Sequence, residues 1–432
     1  MVPGEIIGVE VERIVPGGAG LARCGGQAVF IPHTAPGERV RARVRRSHRG
    51  WAEARLLDLV EPSPRRIRPR CPLCEAGGRG CGGCSLQHLD YGFQLEVKTG
   101  ILREAFVRLG GVSGTLHPGA LGNIPVIPSP PWEYRNRVQL HAVRTGGNPA
   151  PGTPRVGFKS PPEDLPQNQS EDRPQKRRRD DRTGKRTESL VEDQVVPVGD
   201  CPVADPGIRA LLASGELEAP AGRDRFTLYS RGGLVLREGD RGRVRIRDRE
   251  LLTEAGLFFQ SNAVMLEALL GDLVSIAGRA DSSLPLADLY CGVGTFAAFL
   301  SGRFPRVDLL EENRAALALA RQNIDSGGHN FFAITDNEWV KKKESEGPSG
   351  VPAYGLIVAD PPRQGLSVPM RRWLARGPAP LLAYVSCDPA TLARDSGELL
   401  EGAWELEALI YYDFYPQTAH IETLALFRNR HG

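Results

Sequence analysis

The chain has 432 residues, 41% hydrophobic and 25% charged, with a formal net charge of +3. This length and balance exclude a disordered or fibrous chain and leave room for two or three domains with full cores. The N-terminus, MVPGEIIGVE, has no basic segment followed by an apolar run, and no stretch approaches the roughly 18 apolar residues of a membrane span, so a cytoplasmic protein without a membrane partner is expected; it is further taken to be a monomer. Eleven arginines between Arg39 and Arg70 face only Glu53, Asp58 and Glu61, a local excess that points to a polyanion.

Residues 1–60 alternate apolar and polar positions in short runs (IIGVEVERIV, GLARCGGQAVFIP, ERVRARVRRS, WAEARLLDLV) separated by Gly and Pro turns, which predicts a small β-barrel. In ERVRARVRRS, Arg39, Arg41, Arg43 and Arg45 recur with period two and so share one strand face. That face suits a phosphate backbone; the alternative is a solvated edge strand that uses charge against aggregation. The pattern resembles the TRAM module, an OB-like RNA-binding barrel.

A proline-rich basic connector, EPSPRRIRPR, leads into CPLCEAGGRGCGGCSLQHLDY, where four of the eight cysteines crowd. Such crowding in a long cytosolic chain reads as a metal or cluster site rather than a disulfide framework. Six residues separate Cys74 from Cys81. Zinc ribbons usually place about 15 to 20 there, so a cluster with a distant ligand, Cys201 of GDCPV, is a live reading. CGGC, QHLDY and the remote DCPV are similar to the 4Fe–4S segment of RNA uracil-C5 methyltransferases. The resemblance implies Cys71, Cys81, Cys84 and Cys201 as cluster ligands, with Cys74 as the alternative to Cys71, because the family has a single cysteine where this chain has two.

From Tyr91 to Leu109 the apolar residues fall at i, i+3 and i+4, which predicts an amphipathic helix. WEYRNRVQLHAV reads as a strand carrying Arg135 and Arg137, and the next strand runs from VRTGG through RVGF. Residues 159–194 hold almost nothing apolar and read as a disordered insertion in a central α+β iron-sulfur domain spanning 61–247.

From 248 to 432 strands alternate with helices, the signature of a doubly wound, Rossmann-like parallel sheet. In PLADLYCGVGTFAAFLS a strand, a glycine turn and a helix follow one another; Gly292 and Gly294 allow a tight turn and close approach of a nucleotide. The strand RVDLLEEN ends in Glu311 and Glu312, where a carboxylate can accept ribose hydroxyls. Asp336 in AITDNE fits the next strand end, near an adenine, and YGLIVADPPRQG is an apolar strand tipped by Asp360. In LLAYVSCDPATLARD, residues 381–385 form a buried strand broken at the Ser386–Pro389 turn. Cys387 therefore sits at a strand end, where ligands gather in open α/β sheets; the alternative is a buried cysteine acting as a small hydrophobe.

The succession DLYCGVGTF, LLEEN, DPPR and VSCDPATLARD, with FFQSN and HIET, resembles the S-adenosylmethionine-dependent RNA uracil-C5 methyltransferases. The resemblance implies that Gln260, Tyr290, Glu311 and Asp360 hold the cofactor, that Cys387 is the nucleophile and Glu422 the base, and that structured RNA is the substrate, ribosomal RNA favoured over the thymine loop of transfer RNA. Carbon 5 of uracil is too weakly nucleophilic to take a methyl group directly, so a thiolate must first add at carbon 6. Phe258 could stack on the base and Asp360 hydrogen-bond its edge. Two other readings compete. In an exocyclic-amine methyltransferase DPP would be followed by an aromatic residue, but position 363 is Arg. In a non-catalytic RNA-binding iron-sulfur module the methyltransferase fold would serve as a scaffold.

Overall fold

The computed structural model describes residues 1–74, 80–109, 121–143, 155–160, 195–324, 327–346 and 353–431. The first five strands, β1 (Ile6–Ile14), β2 (Ala19–Cys24), β3 (Gln27–Pro32), β4 (Arg39–Ser47) and β5 (Trp51–Glu61), close into a barrel in the order β1-β2-β3-β5-β4. Strict alternation in β1 and β4 sends Ile7, Val9, Val11, Val40, Ala42 and Val44 inward, and the β1–β4 pairing seals the cylinder. Arg39, Arg41 and Arg43 lie on the exposed face, as period two requires. Arg39 pairs with Glu61 at 3.2 Å and Arg41 with Asp58 at 3.0 Å, both in solvent. Such pairs are worth only about 0–1 kcal/mol, so exchanging the carboxylate for a phosphate costs little.

The connector after the barrel is fastened. Arg66 donates to the fully buried carboxylate of Glu38, which also accepts from the backbone amides of Ala35 and Ser63. Arg65 lies over Phe93 and Arg70 over Trp132. Part of the arginine excess therefore builds the structure rather than facing a ligand.

The helix Tyr91–Leu109 has the bounds its periodicity predicts and packs against the helix Pro389–Glu401. Strands β6 (Val126–Ile127), β7 (Arg137–Ala142), β8 (Val156–Lys159) and β9 (Val195–Pro197) follow, then β10 (Arg225–Arg231) and β11 (Leu234–Arg237). A five-stranded sheet runs β11-β10-β7-β8-β9. Arg135, expected in the same strand as Arg137, lies before β7 and forms only isolated bridges to Asn262 and Ala204. Of the expected 159–194 insertion, Lys159 instead ends β8 and Ser160 is buried; residues 161–194, like the VRTGG end of the expected strand beyond Val143, lie outside the described residues.

Strands β12 (Arg241–Ile246) and β13 (Arg249–Glu254) form a hairpin whose turn holds the expected boundary between 247 and 248. Cutting there would separate two fully paired strands. The large sheet contains β14 (Leu286–Leu289), β15 (Val307–Leu310), β16 (Asn330–Phe332), β17 (Leu356–Ala359), β18 (Leu381–Ser386), β19 (Trp404–Tyr412) and β20 (Glu422–Asn429), in the order β16-β15-β14-β17-β18-β20-β19-β6. Its edge strand β6 thus comes from the segment assigned to the central domain. Strands β14 to β18 are parallel, and β14, β15, β17 and β18 are buried along their whole length while the edge strand β16 is partly exposed; β20 runs antiparallel between β18 and β19. Strand order reverses between β14 and β17, which opens a crevice at their carboxyl ends. Among the described residues no helix is long and apolar enough to cross a membrane.

Candidate active site

The glycine turn opens at the end of β14, on the nucleotide side of the crevice. Tyr290, Gly292 and Gly294 all take positive φ (64°, 55° and 79°), so the chain doubles back over the strand end before the helix Thr295–Leu300. A Cβ on Gly294 would press within 3.0 Å of Ala320 and 3.1 Å of Ile324, whereas one on Gly292 would meet only open space. Gly294 thus lets the helix Arg314–Asn323 pack closely, and Gly292 leaves its backbone accessible. Glu311, just past β15, accepts from the amide of Gly292 at 3.1 Å and from that of Asn313 at 2.8 Å. Glu312 is exposed and lines an open surface pocket of about 500 Å³ with Asn313, Arg314, Ala333, Ile334, Thr335 and Glu338. Asp336 is not at the tip of β16, as the sequence suggested. It opens the helix Asp336–Ser345, capped by Thr335 and Glu338, and accepts from the Tyr290 hydroxyl at 2.8 Å.

The other side of the crevice is acidic and thiol-bearing. Asp360 follows β17 and accepts from Gln260 Nε2 at 3.4 Å, and Gln260 Oε1 is buried with no partner among the described residues. Burial pushes the Asp360 carboxyl up to about 7, against the Gln260 hydrogen bond. Cys387 follows β18, partly exposed, and Asp388 turns the chain by capping the helix Pro389–Glu401 through the amides of Ala390 and Thr391. Because β20 is antiparallel to β18 with Ser386 opposite Thr423, its first residue, Glu422, lies beside Cys387. Glu422 is 3% exposed, a buried carboxyl rather than a solvated strand end. Burial, with Asp360 nearby, raises its pKa well above the carboxylate range, and burial, Glu422 and Asp360 push the Cys387 thiol up to about 12.

One cation opposes these shifts. Arg363 lowers the pKa of both Cys387 and Glu422 and lies 3.4 Å from His420 Nδ1. In the sequence Arg363 registered only as the residue that was not aromatic, and its place opposite Cys387 depends on chain pairing that no local pattern announces. Phe258 stands 59% exposed two residues before Gln260.

A second cluster lies apart. Cys71, Cys74, Cys81, Cys84 and Cys201 all line one cavity of about 280 Å³, with Arg135, Gln139, Lys159 and Asp200. The remote Cys201 is thus brought to the CGGC turn. Burial, reinforced by neighbouring cysteines, pushes the thiols of Cys74 and Cys81 up to about 12 and about 11. Cys71, Cys84 and Cys201 are also raised, burial first. Cys81 Sγ accepts from the Gly83 amide at 3.4 Å, while Cys74 Sγ donates to the Cys84 carbonyl at 3.3 Å. Among the described residues no group of three or more His, Cys, Asp or Glu side chains is arranged to hold a metal ion as it stands. The donor chemistry nonetheless suits a thiolate-bound group: ligation removes the thiol protons and so relieves the cost of burying several titratable sulfurs together.

A TRAM domain matches residues 2–57, the span of the barrel. Across nearly its full length the chain is similar to RNA methyltransferases. It is 32% identical to an uncharacterized RNA methyltransferase of Streptomyces coelicolor, covering 98% of this chain and 93% of that one. It is 30% identical to the 23S rRNA (uracil(1939)-C(5))-methyltransferase of Alkalilimnicola ehrlichii, covering 99% and 97%. The crystal structure of Pyrococcus abyssi tRNA (uracil-54, C5)-methyltransferase in complex with S-adenosyl-L-homocysteine superposes with a TM-score of 0.63 at 21% identity, covering 97% of this chain and all of that one, a likeness of fold. Barrel, crevice and relatives together define an RNA methyltransferase. More particularly, the chain belongs to the RNA uracil-C5 methyltransferase family.

Proposed function

We propose that the protein methylates carbon 5 of a uridine in structured RNA, with 23S ribosomal RNA as target, through a covalent adduct between Cys387 and uracil carbon 6. The observation that carries this reading is the adjacency of Cys387 and Glu422 across the β18–β20 pairing, with Arg363 facing both. The Cys387 thiolate adds at carbon 6 and moves the ring's electrons toward carbon 5 and the carbonyl at carbon 4. Arg363 favours the anion that burial and two carboxyls otherwise suppress. S-adenosylmethionine would be held by Gln260, Tyr290, Gly292, Gly294, Glu311, Asp336 and Asp360 and would supply the methyl group: carbon 5 would take it with the ring's electron pair as the sulfonium–methyl bond breaks, leaving S-adenosylhomocysteine. Glu422 then takes the carbon-5 proton, the carbon 5–carbon 6 double bond re-forms and the thiolate leaves. For that step Glu422 must be ionised, so Arg363 serves the last step as well as the first.

Phe258, exposed two residues before Gln260, is available to stack on an extruded base. The barrel's arginines grip phosphates around it. A 4Fe–4S cluster on Cys81, Cys84, Cys201 and one of Cys71 and Cys74, Cys71 favoured, would stiffen the segment around the cavity. The protein is taken to act as a cytoplasmic monomer. The fold likeness to a transfer RNA enzyme supports the thymine loop of transfer RNA as the second reading.

The test is methyl transfer from labelled S-adenosylmethionine to transcripts of 23S ribosomal RNA and of transfer RNA, followed by nucleoside chromatography. The proposal expects 5-methyluridine in the ribosomal transcript. Label in transfer RNA alone would select the second reading, and label on an exocyclic amine would overturn the chemistry.

A further inference from the structure

Glu422 is reached through the connection from Tyr412 to Glu422, and besides its own turns and the contacts of Phe414 with Asn262 and His420 with Arg363 this segment is held largely by a distant part of the chain, residues 85–98. Asp413 Oδ1 accepts from Lys98 Nζ at 2.7 Å and from the Tyr411 hydroxyl at 2.7 Å; Oδ2 accepts from the Tyr91 hydroxyl at 2.9 Å. Lys98 also donates to the Tyr415 carbonyl and Tyr134 to that of Pro416. The tightest point is Gln417, 2% exposed and left-handed at φ 68°, a conformation that side-chain-bearing residues disfavour unless their surroundings impose it. Every polar group of Gln417 is used. Its amide donates to Gln94 Oε1 at 2.9 Å, its Oε1 accepts from Gln94 Nε2 at 3.0 Å, its Nε2 donates to the Pro131 carbonyl at 3.3 Å, and its carbonyl accepts from the Leu86 amide at 2.9 Å. Two residues on, the Ala419 amide donates to Ser85 Oγ at 3.0 Å.

We propose that Gln417 is the positioning residue for the base: its left-handed backbone, clamped by Gln94, Ser85 and Leu86, turns the chain so that Glu422 enters the site beside Cys387. The inference rests on the role given to Glu422 above. It links the two clusters, because Ser85 and Leu86 directly follow Cys84. Order in the cysteine segment is thereby passed to the last step of the reaction and not to the first, since Cys387 is held separately by β18 and the cap of the helix Pro389–Glu401. A base displaced by about 1 Å loses about 100-fold in rate while nucleophilic attack proceeds.

The test uses the full-length protein with a 23S ribosomal RNA transcript carrying either uridine or 5-fluorouridine. The fluorinated RNA traps an adduct after attack and methyl acceptance and needs no base, because carbon 5 has no proton to lose. Gln417→Val, which resists a left-handed backbone, is expected to lose about 100-fold in turnover on uridine RNA with the trapping rate on fluorinated RNA unchanged. Gln417→Gly, free to adopt that backbone, is expected to keep more activity than Gln417→Ala, the reverse of what a simple packing hole would give. Gln94→Ala and Ser85→Ala should show the same split and carry the test if Gln417→Val does not fold. Parallel loss of trapping and turnover, or no loss of either, would overturn the proposal. Glu422→Gln is the control: if it traps no methylated adduct on uridine RNA, the reading of Glu422 fails; if it does and the positioning variants do not, only the inference about Gln417 fails.

Discussion

Lys98→Met removes the ammonium from an ion pair in which both side chains are fully buried and 2.7 Å apart. Burial already lowers the Lys98 pKa, opposed by Asp413. Losing the ammonium strands a carboxylate that water cannot reach and that keeps only the Tyr91 and Tyr411 hydroxyls and no cation. Breaking such a pair costs about 3–5 kcal/mol, and the lost hydrogen bond to the Tyr415 carbonyl adds about 1 kcal/mol. With about 2.1 cal/mol/K of unfolding entropy per residue, a chain of 432 residues shifts by about 1 °C per kcal/mol, so the transition should fall by roughly 5 °C. The double variant Lys98→Met/Asp413→Asn is expected to recover most of that loss, because no charge remains to be buried. Denaturant titration followed by circular dichroism and tryptophan fluorescence measures all three proteins. A single variant that loses less than about 1 kcal/mol, the worth of an exposed pair, would refute the picture of a buried, load-sharing clamp.

Other outcomes follow from individual groups. Arg363→Gln should move the pH dependence of adduct formation to higher pH and slow it near neutrality by about tenfold per pKa unit, with Arg363→Lys moving it less; an unmoved profile would exclude Arg363 as the cation that serves Cys387. Asp288, buried under the glycine turn with its carboxyl raised to about 7 mainly by burial, accepts only the Ala297 amide. The folded state holds this proton more tightly than the unfolded chain, so stability falls as pH rises from about 4 to about 7, by up to roughly 4 kcal/mol. Asp288→Asn should flatten that slope, and an equally steep slope in the variant would contradict it. Protein prepared without oxygen should carry about four irons per chain and lose them in Cys201→Ala and in only one of Cys71→Ala and Cys74→Ala, by iron assay and absorbance; zinc in place of iron, or full iron in Cys201→Ala, would contradict the ligand set.

What the sequence made legible was local. Period-two alternation sends Val40, Ala42 and Val44 inward and Arg39, Arg41 and Arg43 outward; i, i+3 and i+4 spacing bounds the helix Tyr91–Leu109; and an unbroken apolar run followed by Cys-Asp-Pro puts Cys387 at a strand tip. What escaped it was made by long-range pairing. The distance in sequence between Cys387 and Glu422 vanishes because β20 inserts antiparallel beside β18, and β6 joins the same sheet from far upstream. Gln417 carries no local signal, since glutamine does not advertise a left-handed backbone. Asp336 was misplaced because Thr335 and Glu338 form a capping box that starts a helix where a strand end was expected.

The most direct measurement is the mapped covalent adduct. The native protein and the Cys387→Ala and Glu422→Gln variants are incubated with uridine or 5-fluorouridine RNA, with and without S-adenosylmethionine, separated under denaturing conditions and mapped by mass spectrometry. A nucleophile at Cys387 and a base at Glu422 predict no adduct with Cys387→Ala on either RNA, a methylated adduct at Cys387 with Glu422→Gln on uridine RNA, and trapping of the native protein on fluorinated RNA. Attachment at Cys291, or equal trapping by Cys387→Ala, would contradict it.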